Sequence, residues 1–125
     1  LFLNKNANIK ESLVKKNFTI INIWASWCIP CKLEHKKLMN LNNLDSITIV
    51  GLNYKDKPTN AKKFINDLGN PYTIILTDPD GTISIQLGAY GVPETFLINK
   101  DSKILKKYIG ELTNDQISEI EKIIN

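Results

Sequence analysis

Both cysteines of this 125-residue chain and its only histidine fall within twelve residues, WASWCIPCKLEH, from Trp24 to His35. Cys28 and Cys31, separated by two residues, have the spacing of a reversible dithiol. A thiolate at the first sulfur attacks a disulfide, and a thiol one helical turn away attacks the resulting mixed disulfide and releases the partner. A zinc site takes four ligands, or three plus water. Cys28, Cys31 and His35 supply three candidates with no second pair elsewhere, so no metal is expected. His35 is then read as a solvated helix residue. A purely structural bridge is a poor reading as well, because so short a loop removes little chain entropy. Glu34 follows Cys31 by three residues and has two readings. On the sheltered side of a helix it opposes a second negative charge or accepts the proton of Cys31; otherwise it is a surface glutamate complementing the first turn.

The elements that must hold these residues follow from pattern. FTIINIWA, Phe18 to Ala25, is rich in β-branched and aromatic residues and nearly free of charge, as a strand buried on both faces should be. It runs into the cysteines. A helix is expected from Ile29 to about Asn43, with Leu33, Leu38, Met39, Leu41 and Leu44 as its apolar positions and Pro30 tolerated in the first turn. Cys28 then lies at the helix start, where free N–H groups and the helix dipole favour a thiolate. SITIVGLN reads as a second strand and PTNAKKFINDLG as a second helix, started by Pro58 and stopped by Gly69. YTIIL is a short strand and DPDG, Asp78 to Gly81, a turn. ETFLIN and KILKKYIG form a hairpin across KDS, and TNDQISEIEKIIN closes as a helix capped by Thr113 or Asn114. Its inner face carries Ile117, Ile120, Ile123 and Ile124, and a further short strand is expected at LFL, residues 1–3. Alternation of this kind predicts an α/β fold, a central mixed sheet with helices on both faces.

Composition narrows the class. A chain of 14.2 kDa with 42% hydrophobic residues is sized for a single domain spanning 1–125. The sixteen basic residues are all lysine, dispersed among thirteen acids for a net charge of +3, which is the pattern of a solvated surface and not of a nucleic-acid site. The longest uncharged stretch, FTIINIWASWCIPC, is interrupted by polar residues and falls short of the ~20 apolar residues that cross a bilayer. The chain opens on Leu1, so trimming or removal of a leader is expected.

WASWCIPC resembles the strand, Trp-Cys-x-x-Cys, helix signature of the thioredoxin superfamily, and GVPETFLI, Gly91 to Ile98, is similar to its cis-proline loop, with Pro93 as the match. CKLEH, GLNYKDK, LGNPYTIILTDPDG and LGAYGVPETFLI together resemble the cytochrome c maturation group called CcmG or DsbE, from about Phe18 to Gly110. The resemblance implies a thioredoxin-like fold and a periplasmic thiol-disulfide oxidoreductase, tethered to the inner membrane by an N-terminal anchor absent from this chain. Its substrate would be the haem-binding cysteine pair of apocytochrome c or a cytochrome c maturation partner, and its electron donor a membrane protein of DsbD or CcdA type. It implies a monomer with no cofactor beyond the redox-active pair. Residue by residue, it carries the nucleophile to Cys28, the resolving thiol to Cys31 and the nearby acid to Glu34. It carries the cis-proline to Pro93 and an acidic groove residue to Glu94, with Trp27, Pro30, Tyr90 and the backbone of Val92 beside the substrate. Tyr90 and the segment Asn53 to Asp56 flank that groove or simply support the fold. Asn22, six residues before Cys28, stands where ordinary thioredoxins carry a buried aspartate, so the proton-handling acid is expected at Glu34. The competing readings are a general thiol-disulfide oxidase or isomerase, against which the lack of room for a helical insert argues, and an apocytochrome c or haem-binding chaperone.

Overall fold

A computed structural model describes residues 16–125; the strand expected at residues 1–3 lies outside them. In chain order the elements are β1 (Phe18–Trp24), α1 (Ile29–Leu41), β2 (Ile47–Tyr54), α2 (Pro58–Leu68), β3 (Ile74–Asp78), α3 (Thr82–Gln86), β4 (Glu94–Asn99), β5 (Ile104–Ile109) and α4 (Asn114–Ile124). The five strands form one mixed sheet in the order β3-β2-β1-β4-β5, with β1, β2 and β3 parallel and β4 antiparallel to both β1 and β5. This is the thioredoxin-like α/β arrangement. β1 is central and feeds directly into the cysteine loop, so the loop's footing is the most enclosed strand of the sheet.

Alternation along the strands sorts the core into two faces. Ile20 and Trp24 of β1, Ile49 of β2 and Leu97 of β4 join Cys31, Leu38 and Leu41 of α1, Ala61 and Phe64 of α2 and Ile120 and Ile124 of α4 in one cluster. On the opposite face Ile23, Leu52, Phe96 and Ile98 pack with Ala89, just after α3. Three helices therefore back the cysteine side and the short α3 serves the other.

The helix ends follow their chemistry. Pro58 opens α2 and Gly69 ends it at φ +96°, a conformation that L side chains rarely adopt. Thr113 caps α4 in a reciprocal box with Gln116. α3 is absent from the sequence reading, which ended the segment as a turn at Gly81. Five residues give too few apolar repeats to read, and what starts this helix is Asp78, whose carboxylate accepts from the N–H groups of Ile83 and Ser84 and from the Ser84 hydroxyl.

The buried stripe of α1 also differs from expectation. Cys31, Glu34, His35, Leu38 and Leu41 face inward, while Leu33 is exposed. A 3.6-residue period set by Cys31 and Leu38 places 34 and 35 on the inner face whatever their polarity. His35 is thus buried, at 2% exposure, not solvated. Its ring meets Phe64 and Tyr72 edge-on, and Nε2 donates to the Gly69 carbonyl at 2.8 Å. Burial pushes its pKa down, so it is neutral.

Gly51 is fixed by close approach. A Cβ there would lie 2.7 Å from the ring of Tyr72, which itself stacks on Trp24 at 5.5 Å. Gly51→Ala is expected to destabilise the fold by about 1–3 kcal/mol through overpacking, read as a lower urea midpoint. An unchanged midpoint would mean that the Tyr72 ring yields freely.

Candidate active site

β1 delivers the chain into the cysteine loop, and Cys28 is the N-cap of α1. Its extended backbone, φ −96° and ψ 113°, turns the sulfur over the first helical turn, where it accepts the Cys31 N–H at 3.2 Å. Cys28 and Cys31 are joined by a disulfide with their Cα atoms 5.3 Å apart. The N–H that meets the Cys28 sulfur in this oxidised form, with the helix dipole behind it, favours a thiolate when the bond opens. The two sulfurs are less unequal than a nucleophile and a sheltered partner suggest, since Cys28 is 4% exposed and Cys31 2%. A partner must therefore close tightly over the loop to reach either.

Behind the cysteines lies a polar network enclosed by the core. Glu34 is fully buried, one helical turn after Cys31 on the same face. Its Oε2 accepts the Asn22 amide at 2.8 Å and its Oε1 the Leu112 N–H at 3.0 Å. Asn22 is oriented in turn: its Nδ2 donates to Thr95 Oγ1 at 3.1 Å and its Oδ1 accepts the Tyr72 hydroxyl at 2.8 Å. Burial raises the Glu34 pKa to about 7, outweighing the two donors that favour the carboxylate. An acid poised there gives up or takes a proton near neutrality, as a group serving a thiol must. The surface reading of Glu34 is thereby excluded.

A second arrangement holds the loop from outside. The Asp56 carboxylate accepts the Ser26 N–H and hydroxyl, both at 2.7 Å, the Asn53 amide at 3.1 Å and the Lys57 N–H at 2.9 Å. Trp27, 56% exposed, is pinned by its Nε1–H on the Lys55 carbonyl at 2.9 Å. The Asn53–Asp56 segment, placed beside the groove from sequence, is thus the clasp of the cysteine loop.

The third arrangement is the proline loop. The Val92–Pro93 bond is cis, Pro93 is buried, and Val92 packs against the cluster that contains Cys28 and Cys31. Glu94 does not face outward as a groove acid would. Its Oε2 accepts the N–H groups of Tyr90 and Gly91 at 2.7 and 3.0 Å, and its Oε1 lies 3.4 Å from Lys107 Nζ. Lys107 also donates to the Gly88 carbonyl and lies 5.1 Å over the Tyr90 ring, which is 88% exposed. Glu94 and Lys107 therefore shape the loop that presents Tyr90. Pro30 is exposed on the first turn of α1.

Sequence reasoning missed Tyr72, Asp56 as an individual residue, Lys107 and the Leu112 N–H. Only Tyr72 left a signal, as the aromatic first residue of the expected strand YTIIL, which in the structure begins at Ile74, and nothing in that pattern says what its hydroxyl meets. Among the described residues no cluster of three His, Cys, Asp or Glu could hold a metal ion, and no helix is long and apolar enough to cross a membrane.

The Redoxin family model matches residues 3–124. The chain belongs to the Redoxin family. Among this Redoxin chain's curated relatives, the thiol:disulfide interchange protein CycY of Rhizobium leguminosarum is 41% identical over 111 residues, 89% of this chain and 60% of the relative. The thiol:disulfide interchange protein DsbE of Vibrio cholerae is 41% identical over 104 residues, 83% and 56% respectively. The chain thus spans less than two thirds of the length of these relatives. The crystal structure of a DsbE candidate from Chlorobium tepidum superposes with a TM-score of 0.72 at 24% identity, covering 91% of this Redoxin chain and 82% of the other, a likeness of fold.

Proposed function

We propose that this chain is a thiol-disulfide oxidoreductase of the DsbE and CycY kind, acting as a specific protein-disulfide reductant in cytochrome c maturation. The observation that carries the reading is a Cys28–Cys31 pair at a helix N-cap, backed by the buried Glu34. The reduced pair begins the cycle. Cys28 thiolate attacks one sulfur of the substrate disulfide, forming a Cys28–substrate bond and expelling a substrate thiolate. Cys31 passes its proton to ionised Glu34 and attacks Cys28 Sγ, which releases the second substrate thiolate and leaves the pair oxidised. Two electrons have moved from the pair to the substrate, and no other cofactor enters.

The chain edge at Val92 supports the substrate's place. Among the described residues its N–H and C=O have no backbone partner, so an extended substrate can pair there beside Trp27, Pro30 and Tyr90. Pro93 fixes that edge and Glu94 orients it. On this reading the substrate is the haem-binding cysteine pair of apocytochrome c or a maturation partner, and a membrane protein of DsbD or CcdA type re-reduces Cys28 and Cys31. The setting is the periplasm, with the domain tethered to the membrane and working as a monomer.

The test is the reduction potential of the pair, measured by equilibration with a graded thiol buffer. A reductant is expected near the thioredoxin end, about −270 mV; a value near the strong-oxidant end, about −120 mV, would assign the chain to disulfide formation instead.

A further inference from the structure

Trp27 stands as a ridge between two open clefts. One, of about 440 Å³, is lined by Lys32, Lys63 and Asp67 over Phe64 and Leu68. The other, of about 370 Å³, is lined by Lys55, Lys57, Asp56 and Pro79. Asn60 borders both, with Trp27 between them. The acids of this lining are already engaged: Asp56 accepts two hydrogen bonds from Ser26 of the cysteine loop and one each from Asn53 and the Lys57 N–H, and Asp67 pairs with Lys63 at 2.7 Å. Lys55 lies 5.3 Å over the Tyr54 ring and near Asp80. Lys32 and Lys57 are exposed and, among the described residues, form no ion pair. The face is therefore net positive around a rigid aromatic anchor, one residue from Cys28.

We propose that this face is the docking surface for an acidic, extended segment that flanks the reactive cysteine of a protein redox partner. The inference rests on the dithiol reading above and adds the chemistry of the partner. A pre-positioned tryptophan gives apolar contact at little ordering cost, and uncompensated lysines on either side steer negative charge into the clefts. A chain lying against Trp27 brings its own sulfur over the Cys28 end of the loop, where tight closure is required. Aspartate or glutamate beside the cysteine fits this face; lysine or arginine there meets like charge.

The experiment takes the reduced protein and peptides that carry one identical CxxC disulfide flanked by glutamate, glutamine or lysine. Second-order exchange rates are measured at about 20 mM and about 500 mM salt. The acidic peptide is expected to react about tenfold faster than the basic one at low salt and nearly equally at high salt. In the Lys32→Glu, Lys57→Glu double variant the acidic-to-basic ratio should fall to one or invert. Exchange at equal rates with all three peptides would overturn the docking proposal and leave the dithiol reading standing; no exchange with any would overturn both. Equal rates combined with retention on anionic phospholipid vesicles would assign the face to a lipid surface, against the proposal.

Discussion

Cys28→Ser is expected to lower the rate of disulfide reduction by about a thousandfold or more, some 4 kcal/mol in the barrier, because a hydroxyl at this position is not ionised near neutrality. Cys31→Ser should behave differently. With the resolving thiol gone, Cys28 still attacks, and the mixed disulfide accumulates as a covalent adduct visible by mass spectrometry. The assignment depends on position as well as identity: the Cys28 sulfur caps α1 and accepts the Cys31 N–H, a placement that favours the Cys28 thiolate as the attacking group. If Cys31→Ser forms no adduct and Cys28→Ser forms one, the two roles are reversed.

Glu34→Gln is expected to change two things at once. Native Glu34 titrates at about 7 against an ordinary value of 4.5, so the folded protein holds a proton that the unfolded chain releases. Stability from this group is full below about pH 4.5 and is lost as pH rises to about 7, a total of about 3 kcal/mol, after which the curve is flat. His35 works in the other direction, since its lowered pKa costs stability as pH falls. The difference between wild type and Glu34→Gln isolates the glutamate, and urea denaturation from pH 4.5 to 8 should show that difference changing steadily up to pH 7. The second change is kinetic. Glutamine cannot accept the Cys31 proton, so release of the mixed disulfide should slow by about 10²-fold or more and lose its dependence on a group titrating near 7. A variant with the wild-type stability profile and the wild-type release rate would remove Glu34 from the mechanism.

Much of this site was readable because it is local. Cys28, Pro30, Cys31 and Glu34 lie in one strand-to-helix junction, and the rules for helix starts place the first cysteine at the N-cap without tertiary information. Pro93 was readable only through its likeness to a known loop. What stayed hidden is what depends on distant partners: Tyr72 reaches Asn22 across 50 residues, Thr95 reaches it across 73, and Ser26 meets Asp56 across 30. His35 was misread for a related reason. A lone histidine among lysines looks solvated until α2 and Tyr72 are packed over it. Glu94 shows the same limit in reverse, since family resemblance suggested a groove acid while its carboxylate accepts from the Tyr90 and Gly91 N–H groups of the loop that precedes it.

The bond between Glu34 and the Leu112 N–H joins residues 78 positions apart, and that separation sets an order of events during synthesis. At about 5–20 residues per second, the donor emerges roughly 4–16 s after the acid it must satisfy. Through that interval the cysteines exist as a pair able to bridge, because a three-residue separation needs no tertiary structure to close. The acid's enclosure comes later, with Thr95 and Leu112. The newborn chain is thus an ordinary dithiol open to any oxidant it meets, and it acquires its own proton chemistry only when its last third arrives.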